Sequence, residues 1–178
     1  MKRGFAIVKR YENAGLNLPK RSTTAAAGYD FEAAEDFVVP AMWKVDFAKS
    51  ITSLFKSGSE AALDAADADL KPVLIPTGVK AYMGEAEYLM IANRSSNPLK
   101  RRLVVPNGVG IIDADYVDNP ANEGEIFVQM SNFGLRDVQI KKGDRIAQGI
   151  FMPFLTTDDD ENDAKDARTA GFGSTGVN

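Results

Sequence analysis

Residues 107–116 read NGVGIIDADY, and this stretch guides the interpretation of the whole chain. It is an apolar, Gly-containing run that ends in two carboxylates and a tyrosine, which is typical of a strand that runs into a turn. If the strand continues, alternation places Asp113 and Asp115 on one side and Tyr116 on the other. An aspartate at this place either caps the following turn or faces a ligand. The stretch alone leaves both interpretations open.

Short apolar segments of the same kind recur along the chain, separated by Gly, Pro and Asn. The predicted strands are 4–9, 35–39, 73–82, 87–92, 103–105, 109–112, 125–131, 137–140 and 145–152. Many short strands with turn signals between them predict an all-β barrel or sandwich.

Residues 41–71 break this pattern. Trp43, Phe47 and Ile51 recur at helical spacing, and the Ala-rich segment EAALDAADADL follows them. We predict a helical hairpin inserted between two strands. Its apolar stripe either packs onto the β domain, which we favour, or binds a protein partner.

The amino-acid composition limits which catalytic and metal-binding groups the chain can supply. The chain has no histidine and no cysteine, which excludes a Ser-His-Asp triad, a Cys nucleophile and a His or Cys zinc site. A metal must therefore be bound by oxygen, as Mg²⁺ is, and a general base must be a carboxylate, a Lys or a Tyr. The lack of cysteine favours a cytoplasmic location.

The net charge and the hydropathy of the chain limit which kinds of binding partner we expect. The formal net charge of −4 speaks against a general nucleic-acid surface. No apolar run approaches the ~20 residues that a membrane span needs, so we expect no membrane partner.

Three other segments carry polar groups beside apolar runs. AGYDF (27–31) contains Asp30, RSS (94–96) contains Arg94, Ser95 and Ser96, and KGDRIAQ (142–148) contains Gln148. A guanidinium beside two hydroxyls suits phosphate oxygens. Each segment alone is a weak signal, because such residues are common in loops and turns.

The last part of the chain changes character twice. Residues 156–167 are acidic and polar, which predicts a flexible linker. They lead into RTAGFGSTG (168–176), a Gly-rich stretch that includes a G-x-G-x-x-G pattern. That pattern usually opens a helix, but only Val177 and Asn178 follow here. We therefore expect residues 168–178 to form an arm.

Taken together, these segments resemble the five motifs of the trimeric deoxyuridine triphosphate pyrophosphatases (dUTPases). AGYDF, RSS, NGVGIIDADY, KGDRIAQ and RTAGFGSTG stand in the order of the family and span nearly the whole chain. The resemblance implies a distorted β-barrel or jelly roll over residues 1–155. It also implies hydrolysis of dUTP to dUMP and pyrophosphate with Mg²⁺. The insertion 41–71 is not part of the common fold.

The resemblance assigns residues 107–116 to a β-hairpin that holds uracil through backbone polar groups, including those of Gly110 and Ile112. Asn107 matches the asparagine at the uracil edge, and Tyr116 matches the tyrosine under the deoxyribose. Asp113 matches the aspartate that orients the water attacking the α-phosphorus.

The other motifs match groups around the phosphates. Ser95, with its neighbour Ser96, and Gln148 match groups near the attacked phosphorus, and Arg94 matches a phosphate-contacting arginine. Asp30 matches the aspartate that holds Mg²⁺ through water.

In the family the Gly-rich arm closes over the nucleotide and crosses to a site on another subunit. The resemblance therefore implies a homotrimer with shared active sites. Arg168 matches a phosphate-contacting arginine, Phe172 matches the aromatic residue over uracil, and Gly173, Ser174 and Thr175 supply groups to the phosphates. Many members have one more residue between the arginine and the phenylalanine, so this chain departs from the family's common spacing at Arg168.

Two alternatives compete with this interpretation. The dCTP deaminases share the fold, but they resemble T-A-G-x-I-D-P-G-F where this chain has Asp115 and Tyr116. A regulatory protein that keeps the nucleotide site and uses the insertion 41–71 to hold a partner is the second alternative. It does not exclude catalysis.

Overall fold

The computed structural model describes residues 3–43, 45–57 and 60–162. The strands are β1 (Gly4–Ile7), β2 (Lys20–Arg21), β3 (Tyr29–Glu32), β4 (Phe37–Val39), β5 (Val73–Pro76), β6 (Val79–Tyr82), β7 (Glu87–Asn93), β8 (Leu103–Val104), β9 (Val109–Asp113), β10 (Phe127–Asn132), β11 (Val138–Ile140) and β12 (Arg145–Pro153). Two α-helices lie between β4 and β5, α1 (Val45–Ser57) and α2 (Glu60–Leu70). The expectation of a mainly β fold is confirmed.

The strands form four antiparallel sheets. The largest has the order β2-β3-β12-β7-β9, and the others are β5-β10-β8, β1-β6 and β11-β4. Within the described residues these sheets do not join into one closed barrel, so the jelly-roll description fits better than the barrel description. Sequence neighbours often lie in different sheets, as β8 and β9 do.

The core lies between the sheets and is mainly aliphatic. Its largest fully buried side chains include Phe31, Ile75, Leu89 and Ile146. At one end of the core, the ring of Phe5 lies 5.3–5.4 Å from the rings of Tyr29, Phe31 and Phe151. Edge-to-face and tilted ring pairs of this kind stabilise the fold beyond their buried area. They fix β3 and β12 side by side.

The predicted helical hairpin is present, but its packing differs from the arrangement that we favoured. The helices α1 and α2 pack against each other. Phe55 on α1 is 87% exposed, and Leu63 and Leu70 on α2 are 45% and 37% exposed. The apolar stripe therefore does not pack fully onto the β domain, and the favoured interpretation is wrong at Phe55.

Two predictions of local structure need correction. The predicted strand 73–82 is divided into β5 and β6, because Gly78 has a φ of +66° and breaks the ladder. A side chain at Gly78 would come within 2.4 Å of Leu16 and 3.0 Å of Tyr11, so the break also allows close packing. The strands β2 and β3 were not predicted.

The helices of the described part of the chain are too short or too polar to cross a membrane.

Candidate active site

Asp30 lies at the centre of a group of charged side chains that we call the arginine cluster, formed by Ser22, Asp30, Arg94 and Arg145. Arg94 Nε lies 2.9 Å from Asp30 Oδ1, and Arg145 Nη1 donates to Asp30 Oδ2 at 3.1 Å. Ser22 Oγ donates to the same Oδ2 at 2.7 Å. The sequence placed Asp30 and Arg94 in separate motifs, and the fold brings them together.

The partners of Asp30 control its ionisation. Burial alone would raise the pKa of Asp30. The hydrogen bond from Ser22 and the charges of Arg94 and Arg145 outweigh burial, and the pKa lies below its ordinary value. Asp30 is therefore ionised at neutral pH. In the cluster, two cationic side chains pair with this one carboxylate.

Gln148 lies beside this cluster, because it is opposite Asp30 in the ladder between β3 and β12. Its Nε2 donates to the backbone oxygen of Asn93 at 3.1 Å. A Cβ at Gly28 would lie 2.6 Å from Gln148 Oε1, so the glycine makes room for this side chain. The hydrogen bond to Asn93 and the tight space beside Gly28 therefore fix the orientation of the Gln148 side chain.

Ser95 and Ser96 follow Arg94 in a turn at the end of β7. The turn is closed by the backbone N–H of Asn97, which donates to the oxygen of Arg94 at 3.0 Å. Ser95 is exposed and Ser96 is half-buried. The predicted group of a guanidinium and two hydroxyls therefore lies at the same end of the sheet as Gln148.

Residues 107–116, which we call the β9 segment, begin at a turn. Gly108 has a φ of +74° there. A pocket of about 240 Å³ opens beside the segment; its lining includes Asn107, Gly110 and Ile112, with Ile91, Val105, Ile111, Phe127, Val128 and Gln129. The predicted β-hairpin over 107–116 needs correction, because the segment contains one strand, β9, which pairs with β7, and the preceding strand β8 pairs with β10.

Asp113 is the last residue of β9, which is one residue longer than the predicted strand 109–112 and ends before Tyr116. Residues Ala114–Tyr116 form a 3₁₀ turn. Asp113 and Asp115 are exposed and line a second pocket of about 550 Å³ with Met83, Glu85, Ala114 and Phe154. The two aspartates and Tyr116 lie on different sides, as expected. The 3₁₀ turn separates them, and not the alternation of a strand.

Tyr116 is 5% exposed, and its hydroxyl belongs to a buried network. It donates to the backbone oxygen of Glu125 at 3.0 Å and accepts from Asn122 Nδ2 at 2.8 Å. Asn119 Nδ2 donates to Tyr116 O and to Asn122 Oδ1 at 2.8 and 2.7 Å. The hydroxyl is thus held by the loop that follows the β9 segment.

The same loop is fixed by a buried cation. Lys80 is 7% exposed, and its Nζ forms ion pairs with Asp118 and Glu123. Burial alone would lower the pKa of Lys80, but the hydrogen bonds to Asp118 and Glu123 raise it instead. Both carboxylates come from residues with positive φ, 56° and 59°. The ion pairs offset the strain of this loop conformation.

Asp113 and the arginine cluster lie at opposite ends of one sheet. Gln148 is level with Ala92 of β7, whereas Asp113 is level with Tyr88. This register separates them by about 13 Å along the strands and about 10 Å across two strand spacings. Asp113 and Gln148 therefore do not converge within one chain.

Asp30 offers a single carboxylate to an ion that prefers oxygen ligands, and its described neighbours Arg94, Arg145 and Ser22 add no anionic ligand. Among residues 3–43, 45–57 and 60–162 no three His, Cys, Asp or Glu side chains converge on one point. Mg²⁺ keeps several waters and is usually bound by one or two carboxylates and by phosphates. Asp30 therefore fits as a ligand through water.

Some functional candidates lie outside the described residues, and others were missed. The candidates outside the described residues are Arg168, Phe172, Gly173, Ser174 and Thr175. The sequence analysis missed Ser22 and Arg145, because nothing in their local sequence marks them as partners of Asp30. The alternation of aromatic and acidic residues in YDFE (29–32) would have predicted β3, and so the side of the sheet that Asp30 faces.

Comparison with known proteins agrees with this fold. The family described as dUTPase matches residues 59–176. The deoxyuridine 5′-triphosphate nucleotidohydrolase of Lactococcus lactis is 50% identical over 175 residues, which cover 98% of both chains. That of Oryza sativa is 33% identical over 96% of this chain and 80% of its own.

A solved structure agrees as well. The crystal structure of dUTPase from Streptococcus mutans is 42% identical, with a TM-score of 0.68 over 87% of this chain and 98% of that chain. The fold is of the jelly-roll type found in that structure. The chain belongs to the dUTPase family.

Proposed function

We propose that this chain hydrolyses dUTP to dUMP and pyrophosphate. The observation that carries the proposal is the arrangement of two groups. Asp113 is an exposed carboxylate beside a pocket, and the arginine cluster with Gln148 presents cations and an amide to an anion. The names of the Lactococcus and Oryza relatives give the substrate.

The β9 segment selects the base. Backbone groups of Gly110 and Ile112 and the side chain of Asn107 line a small pocket in which uracil forms hydrogen bonds. A rigid strand excludes the methyl group of thymine by steric contact. Cytosine presents mismatched donors and acceptors, and each buried unpaired group costs about 1–3 kcal/mol.

Tyr116 acts on the sugar through its ring. Its hydroxyl is engaged by Glu125 and Asn122, so the ring is fixed and cannot turn away from a ligand. A fixed ring under the deoxyribose leaves no room for a 2′-hydroxyl.

Asp113 and the phosphate-binding groups carry the chemical step. Asp113 orients a water molecule and accepts its proton while the water oxygen bonds to the α-phosphorus. The bond from that phosphorus to the bridging oxygen breaks, and pyrophosphate leaves. Arg94, Ser95, Ser96 and Gln148 hold the phosphates and stabilise the charge that develops. Asp30 would help to hold Mg²⁺ through water, together with the phosphates, and the ion would neutralise part of this charge.

The chain acts as a homotrimer in which the Asp113 of one subunit meets the arginine cluster of another. The separation of these groups within one chain supports this arrangement. The edge strand β9 also leaves Val109 and Ile111 39% and 51% exposed. Apolar side chains on an exposed edge strand are typical of a surface that another chain covers.

Residues 1–155 form the catalytic domain, 156–167 the linker, and 168–178 the arm that closes over bound nucleotide. Arg168 and Phe172 contact the phosphates and the base, and Gly173, Ser174 and Thr175 complete the phosphate contacts. A non-hydrolysable dUTP analogue should slow proteolysis after Lys165 and Arg168. Equal cleavage with and without the analogue would contradict this role.

The exposed side chains of Phe55, Leu63 and Leu70 support a second role for the insertion 41–71, the binding of a protein partner. Catalysis by the β domain does not depend on this role. A cytoplasmic location is consistent with the lack of cysteine.

The test of the proposed function is pyrophosphate release from dUTP, dTTP, dCTP and UTP, each measured with and without Mg²⁺. We expect rapid release from dUTP alone, and only when Mg²⁺ is present. Comparable turnover of dTTP or dCTP would contradict the selectivity that we assign to the β9 segment.

A further inference from the structure

Asn97 is a buried asparagine between the two strands that carry the phosphate-binding groups. It is 1% exposed and lies at the start of a π turn that follows Ser96. Its Nδ2 donates to Asn93 Oδ1 at 2.8 Å and to the backbone oxygen of Ile146 at 2.7 Å. One amide therefore connects the end of β7 with the beginning of β12.

The two acceptors are next to the residues that we place on the phosphates. Asn93 directly precedes Arg94, and its backbone oxygen accepts the hydrogen bond from Gln148 Nε2. Asn93 Nδ2 in turn donates to the backbone oxygen of Leu103 at 3.1 Å. Movement of Asn93 would therefore shift Arg94 and Gln148 together.

Ile146 lies in an irregularity of β12. The ladder between β12 and β3 shifts register between Arg145 and Ala147, so Ile146 is left out of the pairing with β3. The backbone oxygen of Ile146 is the acceptor for Asn97 Nδ2. The asparagine thereby satisfies a buried carbonyl at the bulge and fixes its shape.

We propose that Asn97 is a positioning residue that sets the spacing of Arg94 and Ser95 on β7 relative to Gln148 on β12. The proposal rests on the proposed function, because it concerns the same phosphate groups. Asn97 itself is buried and does not touch the nucleotide. It acts through Asn93 and through the bulge at Ile146.

The chain offers a matched control in Asn119. This asparagine is also buried, at 5% exposure, and its Nδ2 also makes two hydrogen bonds. Its partners are Tyr116 and Asn122, which belong to the base and sugar side of the site. Loss of Asn119 should therefore disturb the nucleoside contacts and not the phosphate contacts alone.

The experiment compares the binding of deoxyuridine and of a non-hydrolysable dUTP analogue to the assembled protein. For Asn97→Ala we expect affinity for the analogue to fall by about tenfold or more, since small misplacements of binding groups reach 10²-fold effects. Affinity for deoxyuridine should stay unchanged. For Asn119→Ala we expect both ligands to lose affinity by similar factors. Equal losses for both ligands in Asn97→Ala would overturn the proposal.

A double-mutant cycle with Gln148→Ala gives a second readout. If Asn97 acts through Gln148, then Asn97→Ala should reduce turnover much less in the Gln148→Ala background than in the native background. Additive losses would contradict the proposal, because a purely structural effect is independent of Gln148.

If Asn97→Ala does not fold, Asn93→Ala replaces it. That variant removes the Oδ1 acceptor and the hydrogen bond from Asn93 Nδ2 to Leu103, but it keeps the backbone oxygen that holds Gln148 and the bond from Asn97 to Ile146. It should show a smaller loss that is still confined to the analogue, and equal losses would overturn the proposal. Absence of dUTP turnover by the native chain would instead contradict the proposed function, and this inference with it.

Discussion

The two ends of the five-stranded sheet hold their side chains in different ways. At the Asp30 end, charged groups satisfy one another, with Arg94 and Arg145 on a single carboxylate. Beyond the Asp113 end, Tyr116 is held by neutral hydrogen bonds from a loop that buried Lys80 fixes.

This difference matches the two tasks that we propose for the site. A rigid neutral frame suits discrimination between bases, because it refuses a ligand of the wrong shape. Paired charges suit a triphosphate, because the arginines can exchange Asp30 for phosphate oxygens without becoming unpaired. The predictions below test each end separately and then the way in which they meet.

Asp113→Asn should give the largest effect. The amide keeps the shape of the side chain but cannot accept a proton from the attacking water. A positioned general base contributes ~10²–10⁴-fold, so turnover of dUTP should fall by about that factor. Binding of a non-hydrolysable analogue, measured by calorimetry, should be retained.

The control for this variant is Asp36→Asn. Asp36 is an exposed carboxylate that pairs with the exposed Lys141 and accepts a hydrogen bond from the backbone N–H of Lys142, and exposed contacts of this kind contribute little to stability. Its turnover should stay near that of the native chain. Full activity of Asp113→Asn would show that another group orients the water.

Gly28→Ala should act at the other end with an intermediate effect. The added Cβ would lie 2.6 Å from Gln148 Oε1 and 3.1 Å from its Cβ, so Gln148 must move. Misplacement by about 1 Å can cost 10²-fold, so turnover should fall by about 10- to 100-fold.

Gly84→Ala is the matched control, because its added Cβ would meet no described neighbour closer than 3.5 Å. That variant should be close to native in turnover. A Gly28→Ala variant with native kinetics would mean that Gln148 has freedom that the structure does not show.

These two ends also differ in how well the sequence predicted them. The ordered motifs pointed to Asp30, Arg94, Asp113 and Gln148 as candidates, because short motifs in a fixed order are specific, and their roles stay predictions. Ser22 and Arg145 were missed, since their partnership with Asp30 depends on the pairing of β2, β3 and β12. Long-range strand pairing leaves no mark in the local sequence.

The fold shows the same limit. Strands with a clear apolar run, such as β7 and β12, were predicted within one residue at each end. β3 was missed, because alanines flank it on both sides and its own alternation is short. The 3₁₀ turn at Tyr116 was missed because hydrogen bonds from Asn119 and Asn122, which follow in the chain, hold the tyrosine in place.

Glu125→Gln should give the smallest effect, on stability rather than on turnover. Burial raises the pKa of Glu125, so its charged form is disfavoured in the folded protein. Glutamine keeps the acceptor for Gly78 N–H, at 3.1 Å in the native chain, and removes the charge. The variant should therefore be more stable than the native protein at neutral pH.

The pH dependence tests this reasoning. A raised folded-state pKa means that the native protein gains stability from this group as the pH falls and Glu125 binds a proton. The advantage of Glu125→Gln, measured by urea unfolding, should thus shrink and disappear below the ordinary pKa of a glutamate. An advantage that persists there would point to another cause.

The central claim is that Asp113 of one subunit works with the arginine cluster of another, and mixing of subunits tests it most directly. Asp113→Asn and Gln148→Ala are each expected to be nearly inactive as purified proteins. Unfolded together and refolded as a mixture, they should form trimers in which about a quarter of the sites combine an intact Asp113 with an intact Gln148. Turnover should then rise to about a quarter of the native value. A mixture that stays as inactive as its two components would show that both groups serve a site within one chain.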